Sequence, residues 1–501
     1  MSAPEVAPAT GDRSGLVPII RGASVALLGS VIGGGFGFAF SVVMAHLLDK
    51  SDFGLFVLAL SFVTAGAWLG IAGADYATIR YVAAADTPGG KRGAMRTTFT
   101  LVTAFSIALS VLLFVLAEPI AVHVLGEPRF TNVLRALPLV LPLTVMAQMF
   151  SAGLSGLEHA RGELARKVAE QGGRIAFASL FVLLGLGVAG AVLGMALAGA
   201  LAAVVVGSLL LRSLPRGGKT QPLESRKVLA FSWPQTVAGA ASRIWEIANV
   251  AILARYEDAR TVALFGAALA IAQLPQMVYN SFAFRFSPTI SRLWESRQLA
   301  ELHDLLRGVT RWVSIFSVPL YAVAIALPAS LLHVYGDGYR PAALALALLA
   351  AASLLNSLAG PVEWTLIMTG RVKLEMLVNV TTVLFVIGLA LVLTPRFGLV
   401  GAAIAFFVHY VLVNALKAYF VHRALRMHTY SAGLLRPIGA AAVAALVAVP
   451  LERGTALGDS LAGGAVLGVL LIACYVLVLL RGFGISKSDR HALGLALRRS
   501  A

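Results

Sequence analysis

The stretch Phe231–Arg255, FSWPQTVAGAASRIWEIANVAILAR, decides how this chain is read. It is apolar and long enough to cross a bilayer as a helix, yet Arg243 and Glu246 stand near its middle. On a period of about 3.6 residues, Gln235, Gly239, Ser242, Glu246 and Asn249 fall on one narrow stripe, with Arg243 at its edge. Hydrocarbon cannot solvate such a stripe, so it must face other helices or a wet cavity. Either Arg243 and Glu246 neutralise each other at i,i+3 inside a bundle, or the stripe lines a cavity. Gln235 and Asn249 carry the stripe beyond a single ion pair, which favours the cavity.

Working outward, the whole chain has the composition of a membrane protein. Of its 501 residues 58% are hydrophobic and 13% charged, where soluble proteins carry about 25% charged residues. The formal net charge of +16 is compatible with nucleic acid as a partner. In a membrane protein, however, a basic excess marks cytoplasmic loops, and no nucleic-acid partner is expected. The single Cys474 excludes an internal disulfide or a multi-cysteine metal site.

Apolar runs of about 20 residues predict an all-α integral membrane protein with about fourteen spans. In the first half they fall at 19–48, 53–79, 95–117, 133–156, 170–186 and 189–211. The second half gives 228–255, 260–287, 310–332, 341–368, 373–394 and 398–421, and two more follow at 434–451 and 460–480. This divides the chain into a tail 1–18, a six-helix bundle 19–211, a linker 212–227, a second bundle 228–421, two extra helices within 434–480, and a tail 481–501. The charged stretch 292–307, RLWESRQLAELHDLLR, reads as a helix lying on the membrane surface. With both termini cytoplasmic, 31 Lys and Arg residues fall on inner segments and 8 on outer ones, alternating loop by loop and leaving only Arg243 at membrane depth. Lys417 is counted among the inner loop cations.

An internal repeat supports the two halves. Phe53-Gly54-Leu55-Phe56 recurs as Val262-Ala263-Leu264-Phe265 at an offset of 209. Arg161-Gly162-Glu163-Leu164 aligns with Arg371-Val372-Lys373-Leu374 at 210, and Gly187-x-x-Gly190-Ala191 with Gly398-x-x-Gly401-Ala402 at 211. Six helices per repeat give parallel topology, and transporters so built bind substrate between their halves near the midplane.

Other motifs weigh little. Gly218-Lys219-Thr220 has the tail of a phosphate-binding loop, but Ser213 stands where its first glycine belongs and no strand precedes it. Gly33-Gly34-Gly35-Phe36-Gly37 lacks the strand of a dinucleotide fold and instead predicts a bend, as Pro234, Pro275 and Pro361 do elsewhere. Asp49 and Asp52 resemble the acidic outer loop of membrane glycosyltransferases, without a large outer domain to hold an acceptor. Polar residues inside spans are more telling. Arg21 opens the first helix, and Asp75 and Arg80 end the second. Gln273, Gln276 and Asn280 share a face of the eighth near Arg285, and Asn356, Gly360 and Glu363 a face of the tenth. Arg21, Arg80 and Arg285 either snorkel to the interface or join Arg243 in a cationic funnel suited to an anionic headgroup.

Three segments carry a family resemblance: Ala45–Tyr81 (AHLLDKSDFGLFVLALSFVTAGAWLGIAGADYATIRY), Phe231–Trp294, and Tyr335–Ala405 with GDGYRPAALAL, MTGR and FGLVGAA. With these the chain resembles the Wzx-type polysaccharide flippases of the multidrug/oligosaccharidyl-lipid/polysaccharide exporter superfamily. The resemblance implies a bacterial inner-membrane protein that moves polyprenyl-pyrophosphate-linked oligosaccharide between leaflets. Membrane lipids, a polysaccharide polymerase and glycosyltransferases are its implied partners. The expected site is Arg21, Arg80, Arg243, Glu246, Asn249, Gln273, Asn280, Arg285 and Glu363, with no cofactor and Na+ or H+ as possible coupling ions. A lipid II flippase, a drug/cation antiporter of the same superfamily and a membrane glycosyltransferase or ligase are the competing readings.

Overall fold

The computed structural model describes residues 33–159, 161–215, 217–430, 432–455, 458 and 460–483. Arg21, both chain tails apart from residues 481–483, and the side chains of Pro234, Gln235, Ser242 and Arg285 lie outside the described residues. Among those described there is no strand, and nine helices are long and apolar enough to cross a membrane, or ten if one bent pair is a single span. In chain order the first are α1 Gly33–Leu47, α2 Lys50–Ile71, α3 Ala74–Ala83, α4 Pro88–Val115 and α5 Phe130–Gly156. Next come α6 at 161–186, α7 Gly187–Ser213, α8 Ser225–Tyr256, α9 Ala259–Gln273, α10 Gln276–Glu295 and α11 Leu299–Ala326. The last are α12 Ala343–Ala359, α13 Val362–Met368, α14 at 372–397, α15 at 399–425, α16 Leu435–Gly454 and α17 Leu461–Val478.

Helices satisfy their own backbone groups, which hydrocarbon demands, and short polar residues finish the exposed ends. Asp49, Thr87, Asp258 and Ser460 each cap a helix by accepting a backbone N–H three residues on. Leu183, Val204, Leu384 and Leu446 point outward, each about two-thirds or more exposed, as a lipid-facing surface requires. Two of the four anticipated bends coincide with a break: Pro275 stands at a 42° bend between α9 and α10, and Pro361 follows the break at Gly360. Gly33–Gly37 and Pro234 instead lie within the unbroken helices α1 and α8.

The repeat is visible in the backbone. Gly187 has φ 52° and ψ −141°, and Gly398 has φ 52° and ψ −129°. These aligned glycines turn the chain between α6 and α7 and between α14 and α15, in a region that L-residues avoid. Within the first half α5 packs against α2, α3, α4, α6 and α7; in the second α12 packs against α9, α11 and the α14–α15 unit. The halves meet where α2 lies along α8 and α9. Their approach depends on missing side chains: a Cβ at Gly54 would stand 1.7 Å from the Ala259 carbonyl oxygen, and one at Gly266 2.4 Å from a Val57 methyl. Val57 and Gly266 are themselves separated by the repeat offset of 209.

One end of this interface is latched. Tyr335 donates to Ser41 Oγ (3.1 Å), Lys50 Nζ donates to the Gly338 carbonyl (2.8 Å), and His46 Nε2 lies 3.0 Å from the Val334 carbonyl. Phe53 packs between Tyr335 and Tyr339, each ring centroid 6.1 Å away.

The stretch 292–307 differs from its sequence reading. Residues 292–295 end α10, Arg297 turns the chain with φ 56°, and Leu299 already begins α11. Its amphipathic face, Leu302, Leu305 and Leu306, is buried on Ile290, Leu293, Leu366 and Val421 rather than on lipid. Helical periodicity reports an apolar face, not what covers it.

The linker is not slack either. Gln221 N–H donates to the Gly89 carbonyl (3.1 Å), Thr97 Oγ1 to the Leu223 carbonyl (3.1 Å), and Arg92 Nη2 to the Gly217 carbonyl (2.5 Å). A Cβ at Gly93 would stand 1.7 Å from the Gln221 carbonyl oxygen. Gly93→Leu is therefore expected to lift this strap off α4 and speed tryptic cleavage at Lys219, which is already exposed but held in the anchored strap. Unchanged cleavage kinetics at Lys219 would show that the strap is not held there.

Candidate functional site

The charged stripe lies on α8, a helix of membrane length whose middle carries two ionised side chains. Arg243 Nη1 donates to both carboxylate oxygens of Glu246, at 3.0 and 2.8 Å. The two side chains remain 37% and 39% exposed, so the pair is neither sealed in protein nor fully in solvent. It uses Nη1 alone, leaving the Nη2 edge of a planar, permanently charged fork free of Glu246. Asn249, expected on the same stripe, is buried. It donates to the Ala402 carbonyl at 3.4 Å, just past the Gly398 turn, while its Oδ1 lacks a protein partner. Trp245 is also buried and lies against His409 with ring centroids 5.2 Å apart. One face of α8 thus binds it to α15, while the Arg243–Glu246 edge stays open.

Behind that edge runs a polar network which the sequence reading did not assemble. Lys417 Nζ, on α15, donates to Glu375 (2.8 Å) and to Glu363 (3.1 Å). Asn379 donates to the same Glu375 oxygen (2.7 Å). Lys417 and Glu375 side chains are 5% and 2% exposed, whereas Glu363 is 48% exposed. Nearby, Asn414 donates to Asn356 (3.1 Å), Tyr321 to Gln276 (3.2 Å), and Ser357 to Tyr321 (3.3 Å). Lys417, counted with the loop cations, is an interior side chain. The available signals were Glu375 and Asn379 at i,i+4 and Asn414 and Lys417 at i,i+3 in apolar surroundings.

The remaining expected residues are scattered. Arg80 is exposed and stacks its guanidinium over Phe231, 4.7 Å from the ring centroid, so it meets the start of α8 rather than Arg243. Gln273 and Asn280 are both exposed, on either side of the Pro275 bend. Arg21 and the Arg285 side chain fall outside the described residues. Of the expected site residues, Arg243 and Glu246 are brought together, while Glu363 pairs with Lys417 instead.

The first half has its own charge cluster. Arg166 bridges Glu163 (2.7 Å) and Glu170 (2.5 Å), and Arg174 also holds Glu170 (2.5 Å). These i,i+3 and i,i+4 pairs run along α6 and serve its packing. The two acidic residues of the outer loop are likewise in use: Asp49 caps α2, and Asp52 pairs with Arg129 at 2.9 Å. Among the described residues, no group of three or more His, Cys, Asp or Glu side chains is placed to hold a metal ion.

These features define a many-span helical membrane protein built from two packed halves, with the Arg243–Glu246 pair on α8, a helix of membrane length that is not among the nine apolar enough to cross a membrane. Solved structures with this fold are transporters of the MOP superfamily. The lipid II flippase MurJ, in an inward closed conformation, superposes with a TM-score of 0.70 at 11% identity, covering 92% of this chain and 99% of that one. An inward-facing multidrug resistance MATE family transporter gives 0.64 at 15% identity, covering 81% and 98%. A MATE structure in a bent conformation gives 0.57 at 15%, covering 82% and 97%. No curated protein matches significantly by sequence. The profile of polysaccharide biosynthesis proteins matches residues 19–294, more than half of the chain. The chain belongs to that family.

Proposed function

We propose that this protein is a flippase that carries polyprenyl-pyrophosphate-linked oligosaccharide from the cytoplasmic to the outer leaflet by alternating access. The observation that carries this reading is the half-exposed Arg243–Glu246 pair at mid-span of α8 in a member of the polysaccharide biosynthesis family. A pyrophosphate crossing the membrane needs a fixed cation in a cavity, and a guanidinium engaged through one nitrogen can still offer a fork to phosphate oxygens. The latch of Tyr335, Lys50 and His46 supports a cycle in which the two halves close at one end and open at the other. No step requires ATP, because carrying negative charge outward across an inside-negative membrane is favourable by about 2.3 kcal/mol per charge per 100 mV. Lipid II, the cargo named for one structure of this fold, is the second reading.

The direct test is reconstitution in vesicles with a fluorescent polyprenyl-pyrophosphate disaccharide and an impermeant quencher. Expected is loss of the protected inner pool faster than in protein-free vesicles; equal rates would overturn the proposal. Orientation is tested separately, in a Cys474→Ala background. His123→Cys is expected to react with an impermeant thiol reagent in intact cells, and Asp86→Cys only after permeabilisation. Equal labelling of the two would sink the assignment of inside and outside.

A further inference from the structure

At the end of the second half assigned by its charge to the cytoplasm, four basic side chains meet away from Arg243. His303 and Arg307 lie one turn apart on α11, His422 stands near the end of α15, and His428 follows the turn at Arg426, whose φ is 55°. His303 Nε2 is 2.9 Å from His428 Nδ1, and Arg307 Nη2 is 3.2 and 3.3 Å from the two ring nitrogens of His428. The His422 and His428 ring centroids are 6.5 Å apart. The loop is anchored: Met427 and Thr429 on either side of His428 are buried, and Thr429 Oγ1 donates to the Ala359 carbonyl at 3.0 Å. The cluster is therefore held in place while His428 itself remains exposed.

Its electrostatics are one-sided. Arg307 has no ion-pair partner among the described residues, and its Nε is buried without a hydrogen bond. Glu301 and Asp304, on the same helix, are exposed and pair with none of the four among the described residues. From neighbouring elements come more cations. Arg371 lies over Trp294 and donates to the Ala424 carbonyl at 3.4 Å, Arg423 donates to Tyr419, and Arg426 is exposed. His428 is held below the ordinary imidazole range by desolvation first, then by Arg307, His303 and His422. The three neighbouring cations thus add to desolvation in the same direction, with no acidic partner opposing them among the described residues. Tyr419 and Tyr430 are exposed beside the cluster, as aromatic side chains are at headgroup depth.

We propose that His303, Arg307, His422 and His428 form a binding site for a phosphate-bearing anion, separate from the Arg243 site. A guanidinium and imidazoles supply the directed donors that phosphate oxygens accept, and basic pockets between helix ends at a membrane surface take acidic lipid headgroups. The same chemistry fits a phospholipid headgroup or free phosphate. An arriving anion would relieve the field at His428 and favour its protonated form, so binding should strengthen as pH falls from 8 to 6.

The test measures retention of phosphatidylglycerol and phosphatidylcholine by the delipidated full chain in detergent, using native mass spectrometry at pH 6 and 8. Expected is preference for phosphatidylglycerol, greater at pH 6. Arg307→Gln/His428→Gln should weaken it roughly tenfold or more, as loss of hydrogen bonds to a charged group implies. His428→Asn, at an exposed position, gives the same reading if the double variant folds poorly, and Arg481→Gln outside the cluster should bind as wild type. Displacement of the lipid by millimolar inorganic phosphate would support the site with a soluble ligand; its failure to compete would support the headgroup. Equal retention of phosphatidylcholine, or unchanged binding by His428→Asn, would overturn the proposal.

Discussion

Arg243→Gln is expected to abolish transfer of pyrophosphate-linked oligosaccharide while leaving the protein folded in the membrane. A hydrogen bond to a charged group contributes about 1.5–3 kcal/mol, so a pyrophosphate held by this fork loses roughly tenfold to a hundredfold in affinity. The fold should tolerate the change. Glu246 is 39% exposed and can be hydrated or take up a proton once its partner is gone. The double variant Arg243→Gln/Glu246→Gln decides what the arginine is for. If it only neutralises Glu246, removing both charges restores transport; if it binds cargo, loss persists. Arg243→Lys adds a third measurement, since a point charge keeps the attraction and loses the fork. Transport by the double variant at wild-type rate and abundance would take Arg243 out of the cargo site.

Lys417→Met should produce the largest loss of stability in the second half. It leaves Glu375, 2% exposed, with Asn379 as its remaining described side-chain donor and with Oε2 already lacking a protein partner. Breaking a buried pair by removing one member costs about 3–5 kcal/mol, because the other charge is stranded. Glu363 is 48% exposed and so is far less desolvated than Glu375, so Glu363→Gln should cost far less. Lys417→Met/Glu375→Leu should recover most of the loss, since a well-packed apolar pair often replaces a buried ion pair without penalty. Melting of the detergent-solubilised chain, followed by Trp fluorescence, orders these variants. A Lys417→Met protein that melts with the wild type would show that the triad does not bear on stability.

The Lys417 triad also marks the limit of reading in one dimension. Hydropathy and basic bias suffice for the membrane class, because the bilayer imposes its length and polarity on each span independently of its neighbours. The repeat was legible for a similar local reason. Gly187 and Gly398 are needed where φ is 52°, a condition on single residues that leaves a glycine in the sequence. Arg243 and Glu246 were legible as partners because one helical turn brings them together. By contrast, Lys417 meets Glu363 and Glu375 across 54 and 42 positions, and His303 meets His428 across 125. The apolar surroundings of Lys417 and Asn414 at i,i+3 hint at an interior cation but do not name its partners, and nothing local distinguishes Asn249 on the α15 backbone from a cavity-lining amide. The amphipathic face of 299–307 was equally clear in sequence, yet lipid and protein reward the same apolar stripe. Sequence alone determined which segments are apolar enough for a bilayer; what covers each apolar face and which charges share a pocket was decided by helix packing, where charged groups find partners far along the chain or remain at an open edge.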